Sequence, residues 1–132
     1  MGAHFELLAF AKADIARVWF LSPVTNMERI IHNIMGYCHI TEKDFRQQVS
    51  VDNDIEPLYW PYYEYVRDHP VTAWGHETHI LRGEGDTMCE YDVVHAFAER
   101  FGCELTQQAG GEHWFHTEAE LEYFRWRLGD RL

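Results

Sequence analysis

The sequence predicts an α/β fold: about three parallel strands flanked by helices, with a helical insert between the first strand and the second. Three observations carry this reading. Short strand-like runs, RVWFL at 17–21, THILRG at 78–83 and CELTQ at 103–107, alternate with amphipathic helical stretches. The last two runs are joined by YDVVHAFAERFG at 91–102, the helix of a βαβ crossover. Residues 37–75 have no steady period and are rich in turn residues and aromatics.

Each element has a local reason. Ala3, Leu7, Leu8 and Ala11 recur at helical spacing and open the chain with a helix. RVWFL follows as a strand, ended by Ser22-Pro23 because proline cannot continue a central strand. Thr25 or Asn26 can cap a helix that carries Met27, Ile30, Ile31, Ile34 and Met35 on one face, with Gly36 as its expected stop. Within the 37–75 insert, a short helix fits 41–48, VDNDIEP is a turn, and PYYEYVRDHP is a helix bracketed by prolines. After THILRG come the loop GEGD, the crossover helix ending at Gly102, and the last strand. Thr117-Glu118-Ala119-Glu120 is a capping box, opening a final helix expected to turn Leu121, Phe124 and Leu128 to the core.

Composition narrows the function classes. One domain spans 1–132, since 132 residues at 46% hydrophobic suffice for one core and no more. Eleven Lys and Arg against 22 Asp and Glu give a net charge of -11 and leave no basic patch for nucleic acid. The apolar stretch 5–21 is broken by Glu6, Lys12, Asp14 and Arg17, so neither a signal segment nor a membrane span is expected there. Three widely spaced cysteines, Cys38, Cys89 and Cys103, fit reduced thiols in a cytoplasmic protein, each read as a small buried hydrophobe.

In open parallel sheets, functional groups gather beyond the carboxyl ends of the strands, here the loops GEGDTM and QAGGEHWFH. They bring Asp86 and His113 past neighbouring strands, where a carboxylate can fix an imidazole's tautomer and stabilise its protonated form. Gly83, Gly85, Gly110 and Gly111 permit close approach of the two loops. As nucleophiles, Ser22 precedes a proline and lacks flanking glycines, Cys89 adjoins Asp86 near a helix start, and Ser50 has no visible partner, so none is assigned. His76, His79, His113 and His116 form two pairs that could bind zinc, but strand direction places the pairs at opposite sheet edges. No metal and no cofactor are expected. Tyr59, Trp60, Tyr62, Tyr63 and Tyr65 are read chiefly as packing of the insert, and Trp114, Phe115 and His116 as packing or pocket residues.

On these residues the sequence resembles the C-terminal half of a serine α/β-hydrolase, whose triad runs in the order Ser, Asp, His. Met1-Gly2-Ala3 leading into HFELLAFAKA resembles the part of a nucleophile elbow after its serine; THILRGEGDTM resembles the acid strand and loop, and GGEHWFH the histidine loop. The resemblance implies that Asp86 is the triad acid, His113 the triad base and Met1 the oxyanion-hole position. It implies a nucleophile immediately before Met1, five further strands ahead of it, and 37–75 as a cap-like insert. The function it implies is hydrolysis of a small-molecule carboxylic ester by the intact form, with this chain inactive alone and prone to self-association or to pairing with an N-terminal half. A non-catalytic interaction module, pairing through an exposed edge at RVWFL, is the alternative.

Overall fold

The computed structural model describes residues 2–129. Helix α1 (Gly2–Ala9) leads into strand β1 (Arg17–Leu21), then α2 (Met27–Tyr37), α3 (Glu42–Gln48), β2 (Ser50–Val51), β3 (Leu58–Tyr59) and α4 (Trp60–Asp68). Strand β4 (Glu77–Gly83), helix α5 (Tyr91–Phe101), strand β5 (Glu104–Gln108) and helix α6 (Glu118–Gly129) complete the order. Strands β1, β4 and β5 form one parallel sheet in that spatial order, so β4 is central and β1 is an edge among the described residues. Phe20 pairs with Ile80 and Ile80 with Leu105, which brings the carboxyl ends Leu21, Gly83 and Gln108 to one side.

The central strand explains its own composition. Every residue of β4 after Glu77 is buried, including Thr78, His79 and Arg82. Burying these polar side chains requires partners. Thr78 accepts from Trp74 Nε1 at 2.8 Å, and His79 stacks on Trp19 at 4.4 Å between Glu77 and Glu104. Helices α1, α2 and α5 contribute Leu7, Ile31, Val94 and Phe97 to a core shared with Phe20 and Ile80. The same core continues into α3 and α4, where Phe45 meets Trp60 edge-on at 5.4 Å and Trp60 meets Tyr63 at 5.3 Å.

Some local expectations are corrected, and one open choice is resolved. Gly36 does not end α2: the helix runs through it to Tyr37, Cys38 N–H closes on the Ile34 carbonyl, and His39 takes the left-handed conformation at φ 55°. Asn26, rather than Thr25, caps that helix through Arg29 N–H. In the insert, the VDNDIEP turn joins two paired two-residue strands, β2 and β3, too short for any period to announce. Asn53 organises that turn by accepting from the Ile55 and Glu56 N–H groups. In α6, Leu121, Phe124 and Leu128 are half-buried and the fully buried residue is Glu120.

Candidate active site

Asp86 and His113 are brought together by the ends of β4 and β5. Gly83 pairs with Gln108; beyond that pair, Glu84 N–H donates to the Gln108 carbonyl at 2.9 Å and Gly85 N–H to the Gly111 carbonyl at 2.8 Å. The loops touch backbone to backbone: a Cβ on Gly83 would lie 2.4 Å from the Gly111 carbonyl carbon and oxygen. No side chain fits there, which is the physical reason for glycine at this point.

The carboxylate of Asp86 is wholly removed from solvent and tied at both oxygens. Oδ1 accepts the N–H groups of Met88 and Cys89, each at 2.9 Å, and Oδ2 accepts from His113 Nδ1 at 3.0 Å. Beneath the loop, buried Arg82 donates Nε to the Cys89 carbonyl at 2.7 Å and Nη2 to the Asp86 carbonyl, with its guanidinium over the Tyr91 ring. Arg82 thus clamps the turn that aims Asp86. A buried strand arginine was visible in the sequence, but nothing in its spacing marked this role.

The histidine loop has its own anchor in Glu120. Its carboxylate accepts N–H bonds from Glu112 at 2.9 Å, His116 at 3.1 Å and Thr117 at 2.8 Å, and the Thr117 hydroxyl at 2.7 Å. These donors, the Glu112 N–H first among them, hold the Glu120 carboxyl down at about 2. The capping box is present as expected, with Glu120 N–H returning to Thr117 Oγ1 at 3.3 Å. What the sequence reading missed is the reach of Glu120 back to residue 112, which fixes the loop on which His113 sits.

His113 retains partial exposure, its side chain 17% accessible. With Nδ1–H donated to Asp86, its Nε2 is left as the free base nitrogen. Cys89 also enters this corner: its sulfur, an Asp86 oxygen and a His113 nitrogen lie within 4.8 Å of one another, a grouping that could ligate a metal ion. A thiolate is opposed there by one feature and a cation by another. Burial and the Asp86 charge push the Cys89 thiol up to about 12, and the Arg82 guanidinium holds the backbone of the same turn. The sulfur is directed instead to the Ser22 carbonyl at 3.4 Å.

The other sequence candidates disperse. Ser22 follows β1 in a positive-φ conformation at 43°, its buried hydroxyl without a hydrogen-bond partner among the described residues, and Ser50 lies in β2. His76 donates to the Phe10 carbonyl, His79 sits between Glu77 and Glu104, and His116 bonds the Trp114 carbonyl, so the four histidines do not converge. Of the insert aromatics, Tyr59 and Tyr62 line a cavity that reaches His113 and Trp114, Trp60 and Tyr63 are core, and Tyr65 stacks on His69. Met1, the oxyanion-hole position expected from the resemblance, lies outside the described residues. Among the described residues no helix is long and apolar enough to cross a membrane.

Neither a protein-family profile nor a curated protein sequence matches this chain. Solved structures do. The α/β-hydrolase domain-containing protein 10 from mouse aligns with 98% of this chain and 56% of its own, at a TM-score of 0.71 and 10% identity. Est1E from Butyrivibrio proteoclasticus, in a structure with ferulic acid bound, aligns with 93% of this chain and 55% of its own, at a TM-score of 0.66 and 20% identity. A second Est1E structure gives 0.65, 21% identity, and coverage of 94% and 56%. The chain therefore has a partial α/β-hydrolase fold and spans little more than half the length of the structures it matches.

Proposed function

We propose that this chain supplies the acid and base of a serine-type carboxylic ester hydrolase, with Asp86 as triad acid, His113 as triad base, and a nucleophile from outside these 132 residues. The observation that carries the reading is the bond from His113 Nδ1–H to the buried, fully hydrogen-bonded carboxylate of Asp86. Its position beyond the carboxyl ends of two adjacent parallel strands supports it further.

The chemistry follows from that bond. His113 Nε2 takes the proton of the serine hydroxyl as its oxygen attacks the ester carbonyl, then gives that proton to the departing alcohol oxygen. Water repeats the sequence: His113 accepts a proton from water, and returns it to the serine oxygen as the carboxylic acid leaves. Asp86 holds the imidazole in the required tautomer throughout and balances its transient charge. The 37–75 insert, whose Ile55, Leu58, Tyr59 and Tyr62 line the cavity that reaches His113, serves as a cap.

Nitrogen NMR on the histidine-labelled chain tests this role. In its uncharged form, His113 should carry its proton on Nδ1 with Nε2 bare, and Asp86→Asn should abolish that preference. A wild-type His113 protonated on Nε2 alone would have no lone pair to offer a nucleophile, and the base assignment would fall.

A second reading, an interaction module, is favoured by one observation. Among the described residues β1 pairs on one side only, along Arg17 to Leu21. In the account proposed here that edge receives the rest of a hydrolase sheet, and without it drives self-association.

A further inference from the structure

A cavity of about 630 Å³ opens beside His113, within the roughly 300–1,000 Å³ that small-molecule sites occupy. Helix α2 forms one wall with Met27, Ile30, Ile31 and Ile34; the β2–β3 turn supplies Ile55 and strand β3 Leu58. His113 and Trp114 stand at the catalytic end, and Met88, whose N–H anchors Asp86, adds a flexible thioether. Among the described residues no lysine or arginine lines this cavity, and Glu56 is its one carboxylate.

We propose that this cavity takes an uncharged aliphatic arm of the ester substrate, placing the ester carbonyl at His113. The proposal rests on the reading of Asp86 and His113 as acid and base. Charge and shape argue for it. A carboxylate-bearing arm would be stripped of water with no cation to receive it, and would meet Glu56 in a chain of net charge -11. The isoleucines and Met27 along α2 instead offer a continuous apolar wall, so each methylene that enters leaves water for hydrocarbon. Discrimination against charged or short arms thus arises from this wall, while His113 contributes only to the chemistry.

The test uses methyl alkyl ketones, neutral ester mimics that cannot be hydrolysed, titrated into the chain while the isoleucine methyl groups are followed by NMR. Affinity should rise about fourfold per methylene from 2-hexanone to 2-undecanone, with shifts at Ile30, Ile31 and Ile34. A keto acid of the same length should bind at least roughly tenfold more weakly, given the cost of burying an unpaired charge. Ile55 is 47% exposed, so Ile55→Asp should leave the fold intact and weaken ketone binding. A series flat in chain length, keto acid binding equal to ketone binding, or an Ile55→Asp chain that binds as wild type would each overturn the proposal. Failure here with His113 still bare at Nε2 removes the cavity assignment alone; loss of the Nε2 result removes the acid–base reading whatever the ketones do.

Discussion

His113 Nδ1 lies 3.0 Å from Asp86 Oδ2, and the opposite oxygen of the same carboxylate holds the N–H groups of Met88 and Cys89. One buried side chain therefore shapes its own turn and orients the imidazole. The two tasks separate by mutation. Asp86→Asn keeps an oxygen for the two N–H groups, whereas Asp86→Ala leaves the buried Cys89 N–H without its acceptor, at about 1–3 kcal/mol, and the part-buried Met88 N–H too. Urea unfolding should rank wild type above Asn and Asn above Ala; equal losses for both variants would show that the turn does not depend on Oδ1.

Gly83 and Gly36 make a matched contrast. A Cβ at Gly83 would strike the Gly111 backbone at 2.4 Å, while one at Gly36, inside α2, meets nothing within 4 Å. Gly83→Ala should lower stability by about 1–3 kcal/mol or more through overpacking of rigid backbone. Gly36→Ala should raise it by roughly 0.5–1 kcal/mol, the usual gain in a helix interior. Thermal melts of the two variants check both signs.

Glu120 predicts an acid limb. Its folded pKa of about 2 lies below the ordinary 4.5, so the unfolded chain binds the extra proton and this contribution is full above about pH 4.5. It is lost as pH falls from there towards 2. In Glu120→Gln the stability curve should be flatter across that window, measured by denaturant midpoints between pH 2.5 and 7. An unchanged slope would mean that the four donors to this carboxylate do not persist in solution.

Cys89 should resist alkylation. With its thiol raised to about 12 and its side chain buried, iodoacetamide at pH 8 should modify Cys38 first and leave Cys89 intact until the chain unfolds. Peptide mapping after partial labelling reads this directly. Early modification of Cys89 would favour a cysteine nucleophile beside His113.

The parallel strands, the crossover helix and the Asp86–His113 pair were legible because each rests on local signals: a buried run, a 3.6-residue period ending in glycine, and glycine-rich loops after two adjacent strands. Less legible were features in which one side chain acts over distance. Arg82 reaches seven residues on to the Cys89 carbonyl, and Glu120 reaches back eight to Glu112 N–H; neither spacing belongs to a strand or helix pattern. Gly36 misled because a glycine near a helix end suggests a stop, whereas here His39 adopts the left-handed turn. The hairpin of β2 and β3 escaped because two-residue strands have no alternation to read.

The most direct test of the central claim is fluorophosphonate labelling of a longer protein in which a serine-bearing segment precedes Met1, compared with this chain. That serine should be labelled stoichiometrically, labelling should be lost in His113→Ala, and its rate should fall roughly 10⁴-fold in Asp86→Asn, the scale expected when tautomer control is lost. The 132-residue chain alone should remain unlabelled. Labelling of the longer protein that persists at full rate in His113→Ala, or stoichiometric labelling of this chain at Cys89, would contradict it.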